Sequence, residues 1–137
     1  MALNSLVLLF LSFFSPWLAA VELGLLSPEQ LQVMQQEQHA LVVDVRTAPE
    51  WHNTGIIPDS VTLQSFNAEG KFDGPQWLSA LQKLKARPDQ PVILVCRSGN
   101  RSAKVGQFLL EQGVPNVYHL QNGIQGWIKS GHAVKSE

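Results

Sequence analysis

Runs of uninterrupted apolar residues alternate along this chain with segments in which apolar residues return every three or four positions. Val92-Ile93-Leu94-Val95 is apolar throughout and mostly β-branched, which predicts a strand buried on both faces; Pro91 ahead of it sits where a strand tolerates proline. Leu41-Val42-Val43-Asp44-Val45 reads the same way. Shorter strands are expected at Val61-Thr62-Leu63 and Asn116-Val117-Tyr118-His119-Leu120, and a further one over residues 21–25. Between these runs the period changes. Ser27-Pro28-Glu29-Gln30 supplies an N-cap, a first-turn proline and a glutamine at N3, with Leu31 and Met34 on one face, so a helix is expected to about Gln38. Thr47 caps a helical turn in which Trp51 packs. Over residues 76–85, Trp77, Leu78, Leu81 and Leu84 form one stripe, with Lys83, Lys85 and Arg87 near its end, where cations meet the helix dipole favourably. From Ser102, Val105, Phe108 and Leu109 recur at helical spacing until Gly113-Val114-Pro115. Ile124, Trp127 and Ile128 pack a final helix, and residues 129–137 are expected to fray.

Strands alternating with helices across short connections predict an α/β domain, with a mainly parallel sheet of about four or five strands and helices on both faces. The 137 residues leave room for one such domain over residues 21–137, because residues 1–20 have another character. That first stretch holds no Lys or Arg and has an apolar centre from Leu6 to Phe14, then Ser15-Pro16 and Ala19-Ala20. It resembles a secretory signal peptide without the usual cationic side chain near its start, and cleavage is favoured over an uncleaved anchor because Pro16 interrupts the run. The expected location is therefore periplasmic or secreted, with membrane anchoring by residues 1–20 as the alternative.

A formal net charge of -1, dispersed along the chain, gives no reason to expect nucleic acid or an acidic membrane surface as partner. The single cysteine, Cys96, excludes an internal disulfide, a CxxC redox pair and a thiolate zinc cage. His39, His52, His119 and His132 show no ligand-like spacing and are read as structural or surface residues, so no metal is expected.

Cys96 stands where the central strand turns into a helix. In a parallel sheet such loops lie at the carboxyl edge, and the following helix directs unpaired N-H groups back into the loop. Those groups, the helix dipole, Arg97 and Arg101 should favour the thiolate of Cys96 over the thiol. An unperturbed thiol is only about 3% ionised near neutral pH, so this preference decides whether sulfur chemistry is available. A lone cysteine is ordinarily a small buried hydrophobe. Here two arginines, two serines, a glycine and an asparagine follow it, which is poor core material and good anion-binding material.

Cys96-Arg97-Ser98-Gly99-Asn100-Arg101-Ser102 resembles the active-site loop of single-domain rhodaneses, the thiosulfate sulfurtransferase family. Three other stretches agree over most of residues 21–130. Asp44-Val45-Arg46, with Glu50 and Trp51 after it, is similar to the family's Asp-Val-Arg element, and Asp44 and Arg46 are expected to brace the Cys96 loop. Gly55-Ile56-Ile57-Pro58-Asp59-Ser60 stands where the family has Gly-His-Ile-Pro-Gly-Ala. Gln121-Asn122-Gly123-Ile124-Gln125-Gly126-Trp127 resembles the terminal Leu-x-Gly-Gly-x-x-x-Trp, with Asn122 replacing the first glycine in a turn that needs positive φ.

The resemblance implies a sulfane sulfur carried as a persulfide on Cys96, with Arg97, Ser98, Gly99, Asn100, Arg101 and Ser102 binding the substrate and no cofactor. The expected partners are a small anionic sulfur donor and a thiol or cyanide acceptor, the protein acting as a monomer. Phe66 and Phe72 are read mainly as packing under their loop, with lining of the active-site mouth as the alternative. A cysteine phosphatase or arsenate reductase is disfavoured, because the four residues between Cys96 and Arg101 make a tighter ring than an oxyanion cradle. A sulfur carrier or binding module without turnover stays open. Cell fractionation with N-terminal sequencing should find the protein outside the cytoplasm, starting near Val21. Intact Met1 on soluble cytosolic protein would contradict export.

Overall fold

Five parallel strands in the order β1-β5-β4-β2-β3 carry the chain back and forth in the computed structural model, which describes residues 22–137. The expected leader over residues 1–20 and its cleavage point lie outside the described residues. Strands and helices alternate throughout: β1 (Gly24–Leu26), α1 (Pro28–Gln38), β2 (Leu41–Asp44), α2 (Ala48–Thr54), β3 (Val61–Thr62), α3 (Gly74–Leu84), β4 (Val92–Val95), α4 (Asn100–Glu111), β5 (Val117–Leu120) and α5 (Gly123–Lys129). Every strand pair is parallel, as strand-helix-strand crossovers require. None of the described helices is long and apolar enough to cross a membrane.

β4 lies mid-sheet, paired with β2 from Leu41↔Val92 to Asp44↔Val95 and with β5 from Val92↔Val117 to Leu94↔His119. Its residues are fully buried, which is why the sequence there is continuously apolar rather than alternating. Alternation still divides its side chains. Ile93 and Val95 join Leu31, Met34, Ile124 and Trp127 under α1 and α5, while Val92, Leu94 and Cys96 join Trp77, Leu81, Val105 and Leu109 under α3 and α4.

The local signals act as expected at α1. Ser27 Oγ accepts from the Gln30 N-H at 3.2 Å, and the Gln30 side chain accepts from the Ser27 N-H at 2.9 Å. Three boundaries differ. β1 starts at Gly24 and ends at Leu26 because its partners in β5 run from Tyr118 to Leu120. α3 starts at Gly74, since Asp73 accepts from the Gln76 N-H at 3.1 Å and Pro75 occupies the first turn. α4 starts at Asn100, because the left-handed turn at Gly99 ends the loop there.

Residues 130–137 do not fray. Lys135 forms an antiparallel bridge with Ile56, each N-H donating to the other's carbonyl at 2.9 Å, and the indole of Trp127 donates to the Ala133 carbonyl at 2.9 Å. The buried Trp127 needs a partner for its N-H, and the returning tail supplies it. Phe66 and Phe72 pack as expected under their loop: the rings are 5.3 Å apart, and Phe72 meets Phe108 of α4 edge-on at 5.3 Å.

Candidate active site

The connection leaving β2 runs toward β3, and the one leaving β4 runs the opposite way toward β5, so a crevice opens between the carboxyl ends of these two adjacent strands. Cys96 directly follows β4 there, and Asp44 ends β2 with Val45 and Arg46 after it. The position of the site is thus set by topology.

Cys96 is 1% exposed, at the bottom of a ring of residues from 96 to 102. Its Sγ accepts a hydrogen bond from the Gly99 N-H at 3.1 Å and lies 3.3 Å from the Ser102 hydroxyl. Gly99 has φ 115, a conformation that glycine adopts without strain and that turns the chain back over the sulfur. Arg97, Ser98 and Asn100 are exposed at the rim. The N-H groups of Arg97, Ser98, Asn100 and Arg101 make no hydrogen bond among the described residues, so the loop keeps unpartnered donors on both sides of Gly99. Arg97 makes no ion pair among the described residues.

The ring is held from behind by α5. The N-H of Ile124 donates to the Cys96 carbonyl at 2.8 Å, and that of Gln125 to the Arg97 carbonyl at 3.1 Å. Gly123, at φ 56, lies so close that a Cβ would overlap both carbonyls. Asn122 takes φ 59, the left-handed conformation expected where it replaces a glycine.

Several of the expected roles differ in the structure. Arg101 reaches away from the ring to Glu50 of α2, its Nη1 and Nη2 each 2.7 Å from a carboxylate oxygen. It tethers the loop and has little left for an anion. Glu50, in the turn that Thr47 caps, accepts from the Thr47 hydroxyl at 3.1 Å and is also the anchor for Arg101. The Arg101 hydrogen bonds hold the Glu50 carboxyl at about 2, well below its ordinary 4.5, against the opposing effect of burial. Glu50 in turn raises Arg101, with the charges of Cys96 and Asp44 adding to the effect.

Asp44 and Arg46 form a buried pair at 2.8 Å, each 1% exposed, and make no hydrogen bond to the Cys96 loop. Their brace is on α2. Arg46 donates to Thr54 Oγ1 at 2.8 Å and the Gly55 carbonyl at 3.0 Å, while Asp44 accepts from the Trp51 indole at 3.0 Å. Support for the Cys96 loop therefore passes indirectly, from the pair through α2 and Glu50 to Arg101.

Ser102 is fully buried behind the sulfur, so it contacts Cys96 rather than the open mouth. Its hydroxyl also lies 3.0 Å from Nδ1 of His119 on β5. No local pattern marks His119. The available signal is strand alternation, which puts it on the same face of β5 as Val117, toward α4.

A rhodanese-like domain model matches residues 27–130. The chain belongs to the rhodanese-like family. It is 34% identical over 100 residues to the thiosulfate sulfurtransferase GlpE of Pseudomonas savastanoi pv. phaseolicola, covering 73% of this chain and 82% of that protein. A sulfurtransferase of Allochromatium vinosum is 31% identical with the same two coverages. Among solved structures, a thiosulfate sulfurtransferase of Pseudomonas aeruginosa superposes with a TM-score of 0.68 at 25% identity, over 84% of this chain and 21% of that one. This rhodanese-like domain is accordingly a rhodanese-family sulfurtransferase, an enzyme similar to those thiosulfate sulfurtransferases.

The Glu50–Arg101 tether makes a prediction for acid stability. Because folding lowers the Glu50 carboxyl from 4.5 to about 2, the pair contributes fully above about pH 4.5 and is lost as pH falls toward 2. Both side chains are 27% exposed, so solvent reduces the effect. Glu50→Gln should cost about 1–2 kcal/mol near neutral pH by denaturant unfolding, with the gap to wild type closing below about pH 4.5. A gap of unchanged size near pH 2 would contradict the tether.

Proposed function

We propose that this sulfurtransferase takes the outer sulfur of thiosulfate, or of a related anionic donor, onto Cys96 and passes it to cyanide or a thiol. The observation that carries this reading is the Cys96 sulfur receiving the Gly99 N-H at the base of a ring of free N-H donors, with Arg97 at the rim. Thiosulfate is a dianion. Its sulfonate would meet Arg97 and the rim N-H groups while its outer sulfur approaches the Cys96 thiolate.

In the first stage the thiolate forms an S-S bond to the outer sulfur, and the donor's own S-S bond breaks with its electron pair leaving on sulfite. The Cys96 persulfide that remains carries one negative charge, on the sulfur nearest the ring donors, which stabilise it as preorganised dipoles stabilise other developing anions. In the second stage cyanide attacks that outer sulfur, leaves as thiocyanate and returns Cys96 to the thiolate. A thiol acceptor, attacking as its thiolate, leaves as a persulfide by the same electron flow.

The charges around the site support a small anion as substrate and Arg97 as the side chain that recognises it. Arg46 is satisfied by Asp44 and Arg101 by Glu50, so Arg97 is the loop arginine left for substrate. Steady-state formation of thiocyanate from thiosulfate and cyanide tests this. Cys96→Ser should abolish turnover, and Arg97→Ala should lower kcat/KM for thiosulfate roughly 10–100-fold, the loss of a charge-assisted contact of about 1.5–3 kcal/mol, with a smaller effect on transfer to cyanide. Wild-type kinetics in the Arg97 variant would remove that residue from the site. A wild-type protein that takes up sulfur once without turning over would identify a carrier.

A further inference from the structure

The Ser102 hydroxyl lies within hydrogen-bonding distance of three groups: Cys96 Sγ at 3.3 Å, His119 Nδ1 at 3.0 Å and the Gly99 carbonyl at 3.1 Å. A hydroxyl has one hydrogen to give and two lone pairs to receive with. It therefore cannot donate to all three at once, and the proton on His119 decides which contact it serves.

If Nδ1 is bare, the Ser102 hydroxyl can donate to it and the Cys96 S-H can donate to Ser102. If Nδ1 carries a proton, the imidazole donates to Ser102 and the hydroxyl hydrogen is turned to the thiolate. These are two directions of one hydrogen-bonded chain, Cys96–Ser102–His119.

We propose that His119 is a positioning residue for the sulfurtransferase reaction, acting through Ser102 to aim a hydrogen bond at the Cys96 thiolate and to receive the thiol proton when that thiolate forms. The proton balance is closed within the chain. The S-H proton passes to Ser102 Oγ as the hydroxyl's own proton passes to His119 Nδ1, leaving a thiolate, an unchanged serine and an imidazolium. His119 Nε2 has no hydrogen-bond partner among the described residues and the side chain is only half-buried, so solvent can take up that proton. The inference rests on Cys96 being the nucleophile.

The surroundings of His119 support this use. Burial, with no charged neighbour as a cause, holds it below its ordinary 6.5 and so favours the neutral ring, whose bare Nδ1 can accept from Ser102. On α4, Arg101 turns to Glu50 and Lys104 lies over the Phe66 ring, while Glu111 is exposed at the far end of the helix. β1 and β4 bring no ionisable side chain, Tyr118 points to the opposite face of β5, and Lys129 of α5 is exposed. Cys96 is the ionisable group one hydroxyl away.

The test is the pH dependence of Cys96 alkylation by iodoacetamide in the full chain. His119→Leu has the same number and branching of side-chain heavy atoms as His119→Asn but cannot hydrogen-bond, whereas the Asn amide can still donate to Ser102. The Leu variant should move the midpoint of the profile to higher pH by about one unit, which is about tenfold slower alkylation on the acidic limb. The Asn variant should stay close to wild type. Ser102→Ala should shift the midpoint at least as far as His119→Leu, and adding His119→Leu to it should shift it no further. His119→Ala provides the same comparison if the Leu variant fails to fold.

A Leu profile that superimposes on wild type, or shifts of the two single variants that add, would overturn the link. Either result leaves the sulfur chemistry standing if Cys96→Ser still abolishes thiocyanate formation. Turnover that survives Cys96→Ser removes the nucleophile itself, and the link with it.

Discussion

One buried ion pair organises the carboxyl edge on which the site is built. Asp44 and Arg46 are two residues apart, both withdrawn from water, and between them their polar atoms meet the Trp51 indole, the Thr54 hydroxyl and the Gly55 carbonyl. An arginine buried without its carboxylate would cost several kcal/mol, so the pair is worth most as a restraint: α2 cannot leave its place without stranding a charge. α2 carries Glu50, which holds Arg101, and Arg101 stands in the first turn of the helix that follows Cys96. From the other side, two N-H groups at the start of α5 hold the carbonyls of Cys96 and Arg97. The loop is clamped between a charge tether and a helix start, and its remaining N-H groups stay available because both clamps avoid them.

The same arrangement partitions the positive charge. Two of the three arginines nearest the site are neutralised by carboxylates and serve as structure, while Arg97 stays at the rim. A cleft with every arginine free would attract anions more strongly but would hold its loop less firmly. Two arginines thus serve rigidity, which holds the loop and its donors in place around Cys96, and under the proposed function the third is left to meet an anionic donor.

Much of this was legible in the sequence, for reasons that separate local from non-local causes. The buried strands, the α1 capping box and the placement of Cys96 at a strand-to-helix turn follow from residues within a few positions of one another, as does the left-handed Asn122. Glu50 pairing with Arg101 joins residues 51 positions apart, and Ser102 meeting His119 joins β5 to α4, so no window of sequence displays either. The C-terminal tail misled for a related reason: its short polar run predicts fraying, yet Ile56 and Trp127, far upstream and immediately upstream, each provide it with a partner. The arginines were recognisable as cations, but whether each binds substrate or scaffold depends on which carboxylate the fold brings near.

Intact-mass analysis of the purified protein after exposure to thiosulfate tests the central claim most directly, because it reads the covalent state of the sulfur rather than a rate. The account predicts a gain of about 32 Da, one sulfur atom, located on the peptide containing Cys96 and removed by cyanide with return to the original mass. An unchanged mass, or a cyanide-removable sulfur that persists in Cys96→Ser, would contradict it.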